Sequence, residues 1–310
     1  MPLTRLQHHL GMALRSKVAG ENPTARAARV WGAPGPRWFS PGDPIWRVHS
    51  DASMFPGGIR SLLLQSLHPL ALAGVEDHSD YRNDPWTRVN NTSFFIAQTT
   101  YGTIENAEKL ISVINTIHER IVGTAPDGRP YAATDPDLLQ WVHVAETETF
   151  LTCYQTFSPT PLTADEADRY VAQTAHVARL LGVIDPPLTV ADLHATIEAY
   201  RPELQATEAA RKVMHFLLDE PPVSGVETLG YRALASAAVR TLQPWAREML
   251  GIRTSPVPDA VMRRVVNRPA VTTVRWMLSH PEVAKDRIIG HAAHELRRRG
   301  AGVAVVAICI

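Results

Sequence analysis

Arg88 and Thr92 stand four residues apart in NDPWTRVNNTSFF, residues 83–95. A helix stacks them on one face, which Phe95 and Thr99 continue. The next turns, SFFIAQ, are apolar, and a guanidinium directed into apolar surroundings requires an anion. A buried carboxylate such as Glu146 or Asp77 would suit its forked donors, and so would a haem propionate. Alternatively Arg88 could polarise oxygen above an iron, with Thr92 giving a second hydrogen bond. Two imidazoles belong to the same problem. His118 shares a helical face with Ile111, Ile114, Ile121 and Val122, and His143 shares one with Leu139 and Phe150, beside Trp141. An imidazole among such neighbours is either a core histidine bonded to a backbone carbonyl or an axial ligand for a flat apolar macrocycle. The residues by themselves leave both readings open.

Other chemistries lack their local signatures. No histidine has a glutamate three residues before it, which removes the Glu-x-x-His pairs of di-iron carboxylate bundles. HERIV at 118–122 stops short of HExxH, and no GxGxxG, P-loop or GxSxG is present. His291 and His294 in HAAHELRRRG are spaced to share a metal, but that spacing is commoner as a surface pair.

These residues must be carried by helices. Asp84-Pro85 and Asp135-Pro136 pair an N-cap acceptor with a proline at the first helical position. Thr163 and Glu166 have capping-box spacing, Thr189 and Asp192 form a weaker start, and Pro202 could open another helix. Gly123, Gly182 and Gly251 follow apolar runs where a helix would end. Within 105–122, Leu110, Ile114, Ile117 and Ile121 form a helical stripe that Ile111 and Val122 widen. Extended candidates are short: PYAAT after DGRP, and GVAVVAIC at the end. The expectation is an all-α, multi-helical single domain with about ten helices at ordinary helix and loop lengths. Residues 1–44 read as an N-terminal helix and a Pro/Gly-rich crossing segment, residues 45–310 as the helical body, and DEPPVSGVETLG at 219–230 as its best internal break.

Composition narrows the class. The 310 residues carry 31 Lys+Arg and 31 Asp+Glu, which does not suit nucleic acid, and the one dense basic run is Arg297–Arg299. Cys153 and Cys309 form no CxxC and read as free thiols. The N-terminal stretch has no apolar secretory core, and the tail AGVAVVAICI has about half the length that a membrane span needs. A cytoplasmic protein is expected.

Four stretches then carry a resemblance: LLLQSLHPLALAGVEDHSDYRNDPWTRVNNTSFF, IHERIVGTAPDGRPYAATDPDLLQWVHVAETETFL, EADRYVAQTAHVARLLGV and RALASAAVRTLQPWAREMLGI. Together they resemble the domain shared by the latex-clearing (rubber) oxygenases and the MpaB-type oxygenases. The resemblance implies a globin-like helical core that binds haem b. It implies His118 as the proximal iron ligand, His143 as the second histidine of the motif and fallback ligand, and Arg88 and Thr92 near the haem. Where the rubber-cleaving branch has a lysine directly before that threonine, this chain has Asn91. Glu76 and Asp77 are the candidates for the branch's catalytic glutamate. With no export signal, the expected activity is that of a haem b oxygenase using dioxygen on a smaller apolar, unsaturated molecule. The alternatives are a non-catalytic helical protein that holds haem or an apolar ligand, and a haem-free helical enzyme with structural histidines.

Overall fold

The computed structural model describes residues 2–284 apart from 21, 22, 81, 226 and 255. The tail 301–310, Arg297–Arg299 and the His291/His294 pair lie outside the described residues. The chain opens with α1 (Pro2–Ala19), the short α2 (Pro23–Ala27) and, past the Pro/Gly-rich crossing, α3 (Pro44–His49). Next come α4 (Met54–Gln65), α5 (Pro69–His78), α6 (Pro85–Tyr101) and α7 (Ile104–His118). An antiparallel hairpin of β1 (Val122–Thr124) and β2 (Pro130–Ala132) leads into α8 (Pro136–Phe157). The remainder is α9 (Ala164–Leu181), α10 (Val190–Tyr200), α11 (Glu208–Leu218), α12 (Glu227–Thr241), α13 (Pro244–Met249), α14 (Asp259–Met262) and α15 (Arg268–Leu278). The fold is all-α. Helices outnumber the ten expected because proline at the first turn restarts the chain repeatedly, as at α3, α5 and α13. Among the described residues, no helix is long and apolar enough to cross a membrane.

The expected starts are where the caps put them. Asp84 accepts from the Thr87 N–H, Asp135 from the Asp137 N–H, and Thr163 and Glu166 close a reciprocal capping box. Pro202 opens only a single 3₁₀ turn, Arg201–Glu203. Gly182 and Gly251 follow their helices with φ of 109° and 69°, a conformation that costs a residue with a Cβ. Gly123 differs. The helix expected to reach Val122 stops at His118, because Val122 pairs with Ala132 in the hairpin. Gly123 is needed there for close approach, since a Cβ on it would lie 2.4 Å from the Tyr131 hydroxyl oxygen.

The long helix α8 is the centre of the bundle. Trp141, Val144, Ala145 and Leu151 are all buried in the main core, to which the N-terminal segment adds Val30 and Phe39, while Leu138 packs in a separate cluster with Ala73, Ala125 and Tyr131. Helix α4 packs along α8 and approaches closely at Gly57, where a Cβ would meet the Phe150 ring at 2.9 Å. One ion pair crosses this interface. Arg60 and Glu148 are 1% and 4% exposed. Arg60 Nη2 donates to Glu148 Oε1 at 3.0 Å, and Nη1 donates to the other carboxylate oxygen and to Thr149 Oγ1. The remaining donors reach the Thr241 carbonyl and Gln243 Oε1, at 3.1 and 3.2 Å, so α12 and the start of α13 are held by the same side chain. A buried pair is tolerable only when it is this fully bonded.

Removing one partner leaves a bare buried charge. Glu148→Ala should cost about 3–5 kcal/mol of folding stability, read by urea denaturation, and Arg60→Met with Glu148→Leu should cost less than either single change.

Candidate functional site

Only Gly102 and Thr103 separate α6 from α7, and the two helices pack against each other. The link is tight: a Cβ on Gly102 would lie 2.5 Å from the Gln98 carbonyl oxygen, and Thr103 caps α7 by accepting from the Asn106 N–H. Arg88 lies fourteen residues before Gly102 and His118 fifteen after Thr103, each toward the end of its helix away from the link.

Cover decreases along the pair. Thr99, Ala107 and Ile111, nearer the link, are buried. Farther out, Phe95, Ile114, Arg88 and His118 are half-buried and Thr92 is exposed. The other face of α6 is occupied: Lys17 lies 5.5 Å over the Trp86 ring, Arg26 lies 5.4 Å over Phe94 and donates to the Asn90 carbonyl. Helix α8 repeats the gradient. Leu139, Val142, His143 and Glu146 form a half-buried stripe, and from Thr147 to Leu151 the helix is buried. The hairpin ties the end of α7 to the start of α8 through the Ala133 N–H and the Ile121 carbonyl, at 2.8 Å. The thinly covered halves of α6, α7 and α8 carry the half-buried apolar side chains Phe95, Ile114, Leu139 and Val142.

Each imidazole presents an unsatisfied nitrogen. His118 Nδ1 is buried without a hydrogen bond, as is His143 Nε2, while His143 Nδ1 lies 3.4 Å from Thr147 Oγ1. Burial holds the His118 ring below its ordinary titration range, and burial together with the Arg179 charge pushes His143 down to about 4. Both rings are neutral at pH 7, the form in which imidazole binds a metal.

The other expected residues take varied places. Arg88 donates to Ser79 Oγ at 3.2 Å. Of the two carboxylates considered for it, Asp77 accepts from the Tyr131 hydroxyl on β2, and burial, then this bond, raises the phenol to about 12. Glu146 has no hydrogen bond or ion pair among the described residues, and burial lifts its carboxyl to about 7. Glu76 pairs with Arg82 at 2.7 Å. Deeper in, residues that carried no sequence signal gather beside Glu146. His49 at the end of α3 bonds Thr100 Oγ1 at 2.8 Å through Nδ1 and the Tyr170 hydroxyl at 3.3 Å through Nε2. Burial pushes His49 down to about 3.

A separate cluster joins His68, Asp137 and Glu203, whose ligand-type atoms lie within 4.8 Å of one another. His68 Nδ1 accepts from the Ala71 N–H as the N-cap of α5. The neutral ring then carries its proton on Nε2 and offers those acids an N–H rather than a lone pair.

A family model described as ER-bound oxygenase mpaB/B′/rubber oxygenase, catalytic domain, matches residues 46–276. No curated protein and no solved structure gives a significant match.

The neutral histidines set a pH dependence. Unfolded, each would titrate near its ordinary 6.5, so below that pH unfolding takes up protons and their contribution to stability is lost as pH falls from 6.5 toward 4. In an NMR titration the ring resonances of His49 and His143 should stay at their neutral shifts from pH 8 to pH 5. Exposed His215, raised by hydrogen bonding to Asp219, should titrate above 6.5.

Proposed function

Since the chain belongs to the mpaB/rubber oxygenase catalytic-domain family, we propose that it is a haem b-dependent oxygenase acting with dioxygen on an apolar, unsaturated small molecule. The supporting observation is the pair of neutral imidazoles with unpartnered buried nitrogens, His118 Nδ1 and His143 Nε2, on helices that carry half-buried apolar side chains. A porphyrin requires this combination of nitrogen donor and apolar flank. A buried nitrogen without a partner is costly unless a ligand satisfies it. The donor set therefore fits an iron porphyrin, and a globin-like mode of holding it is part of the proposal.

His118 on α7 would hold the iron. His143, oriented by Thr147, is the second imidazole and the alternative ligand. Arg88 on α6 would offer a forked cation to a propionate or to the oxygen side, and the Thr92 hydroxyl lies one turn farther along the same helix. Arg88 donates to the Ser79 hydroxyl at 3.2 Å, and an anion accepts from a guanidinium more strongly than a neutral hydroxyl does. Where the rubber-cleaving branch resembled above has a lysine, Asn91 is exposed and brings no amine. When bound, iron porphyrin supplies dioxygen binding and oxidising power; ligation, polarity and access are set by the chain. Phe95, Ile114, Leu139 and Val142 keep water away from an apolar substrate.

Protein produced with adequate haem should show a Soret band. His118→Ala should lose most of it and His143→Ala should retain it. The reverse pattern would transfer the ligand role to His143, and a full, unchanged band in both variants would defeat the reading. With haem in place, oxygen uptake should rise on adding isoprenoid or unsaturated fatty compounds, and Arg88→Ala should reduce that uptake at least about tenfold, the loss of one preorganised charged donor.

A further inference from the structure

His118 and His143 each present a buried nitrogen without a hydrogen bond, but among the described residues only His143 is bonded through its other nitrogen. Two threonines stand behind it. Thr147 follows one turn later on α8 and Thr174 comes from α9; they are 2% and 9% exposed. The contacts form a line. His143 Nδ1 lies 3.4 Å from Thr147 Oγ1, and Thr147 Oγ1 lies 3.3 Å from Thr174 Oγ1. Thr174 Oγ1 in turn donates to the Val171 carbonyl at 2.8 Å. The line therefore ends on an atom that can only accept.

That end sets the direction of every proton in the line. A threonine hydroxyl has one hydrogen. Thr174 gives its hydrogen to the Val171 carbonyl, so toward Thr147 it can only accept. Thr147 gives its hydrogen to Thr174, so toward the imidazole it too can only accept. The ring proton then belongs on Nδ1, which faces it. The opposite arrangement, with Thr147 donating to a bare Nδ1, would leave the two hydroxyl oxygens 3.3 Å apart with no hydrogen between them. It would also put the ring N–H on Nε2, which is buried and has no acceptor. Buried N–H groups left unpaired are rarer than under-used acceptors. The Nδ1–H tautomer satisfies both conditions.

We propose that Thr147 and Thr174 are positioning residues that lock His143 as its Nδ1–H tautomer, so that Nε2 permanently offers a lone pair. A metal-bound imidazole characteristically has its other ring N–H held by an acceptor, which fixes the ring and raises its strength as a donor. His143 has this support before any ligand arrives. His118 has no such bond among the described residues, and no neighbour selects one of its nitrogens. The lock spans α8 and α9, so the packing of two helices sets the orientation of the ring. Within the oxygenase reading it names Nε2 as the atom that the second imidazole would offer to iron. That use rests on the oxygenase reading; the lock itself does not.

Long-range proton–nitrogen NMR correlation on the full chain without added haem reads the tautomer of each ring. At pH 7 the wild type should show His143 in a single Nδ1–H form. Thr147→Val has nearly the same shape but no acceptor, and the Nε2–H form should appear beside the first. Thr147→Ser restores the hydroxyl and should restore the single form. Thr174→Val should also bring in the Nε2–H form, because Thr147, deprived of its acceptor, can then donate to Nδ1. The His118 signals should not move in any of these variants, and far-ultraviolet circular dichroism should stay that of the wild type. A single Nε2–H form of His143 in the wild type would overturn the assignment. An unchanged Nδ1–H form in Thr147→Val would overturn the role of the threonines. A missing Soret band in protein made with haem, with the NMR pattern intact, would refute the oxygenase reading alone.

Discussion

The buried pair between Arg60 and Glu148 is the constraint on which the arrangement depends. Glu148 is on α8, Arg60 on α4, and the other donors of the guanidinium end on groups at the end of α12 and at the entry to α13. An ion pair away from water has little latitude: its two oxygens and five N–H groups must find partners together, or the desolvation cost is unrecovered. That requirement fixes the rotation of α8 about its own axis. With Glu148 turned toward α4, the stripe of Leu139, Val142, His143 and Glu146 is turned away from it. Packing at Gly57 against Phe150 brings the backbones close enough for the pair to form.

The same helix thus carries two glutamates with opposite circumstances. Glu148 is held below the ordinary carboxylate range, because the Arg60 charge and its hydrogen bonds outweigh burial. Glu146 meets burial with no cation and rises to about 7. Residue type and neighbouring sequence are nearly identical in AETETF; the difference is which side of α8 each occupies. Desolvation and pairing are both consequences of the neighbouring helix, not of the residue.

Helices α1 and α2 cover one face of α6, α9 meets α7 where Asn115 donates to the Leu180 carbonyl, and the hairpin ties α7 to α8. Burial among these elements keeps His118 and His143 neutral. A site for an apolar cofactor and substrate and a site that keeps imidazole neutral therefore place the same demand on their surroundings: low polarity, with a few hydrogen-bonding groups at chosen points.

Much of the fold was legible in the chain because its signals are local. Asp84, Asp135 and Thr163 each satisfy an N–H two or three residues ahead, so the starts of α6, α8 and α9 needed no knowledge of the rest. The all-helical class followed from periodicity, and family membership from motif order. The end of α7 was misread, because a strand pairing ten residues away competes with the helix at Val122. The candidate site was partly legible: Arg88, Thr92, His118 and His143 stood out as polar residues on apolar faces, and they lie on α6, α7 and α8. His49, Thr100 and Tyr170 gave no signal, since their bonds join segments 51 and 121 residues apart. Sequence determined which residues are helical and which faces are apolar, since caps and periodicity act within one or two turns. Only the tertiary structure decided which carboxyl is paired and which imidazole nitrogens are left unpartnered, because burial and partnership depend on helices distant in the chain.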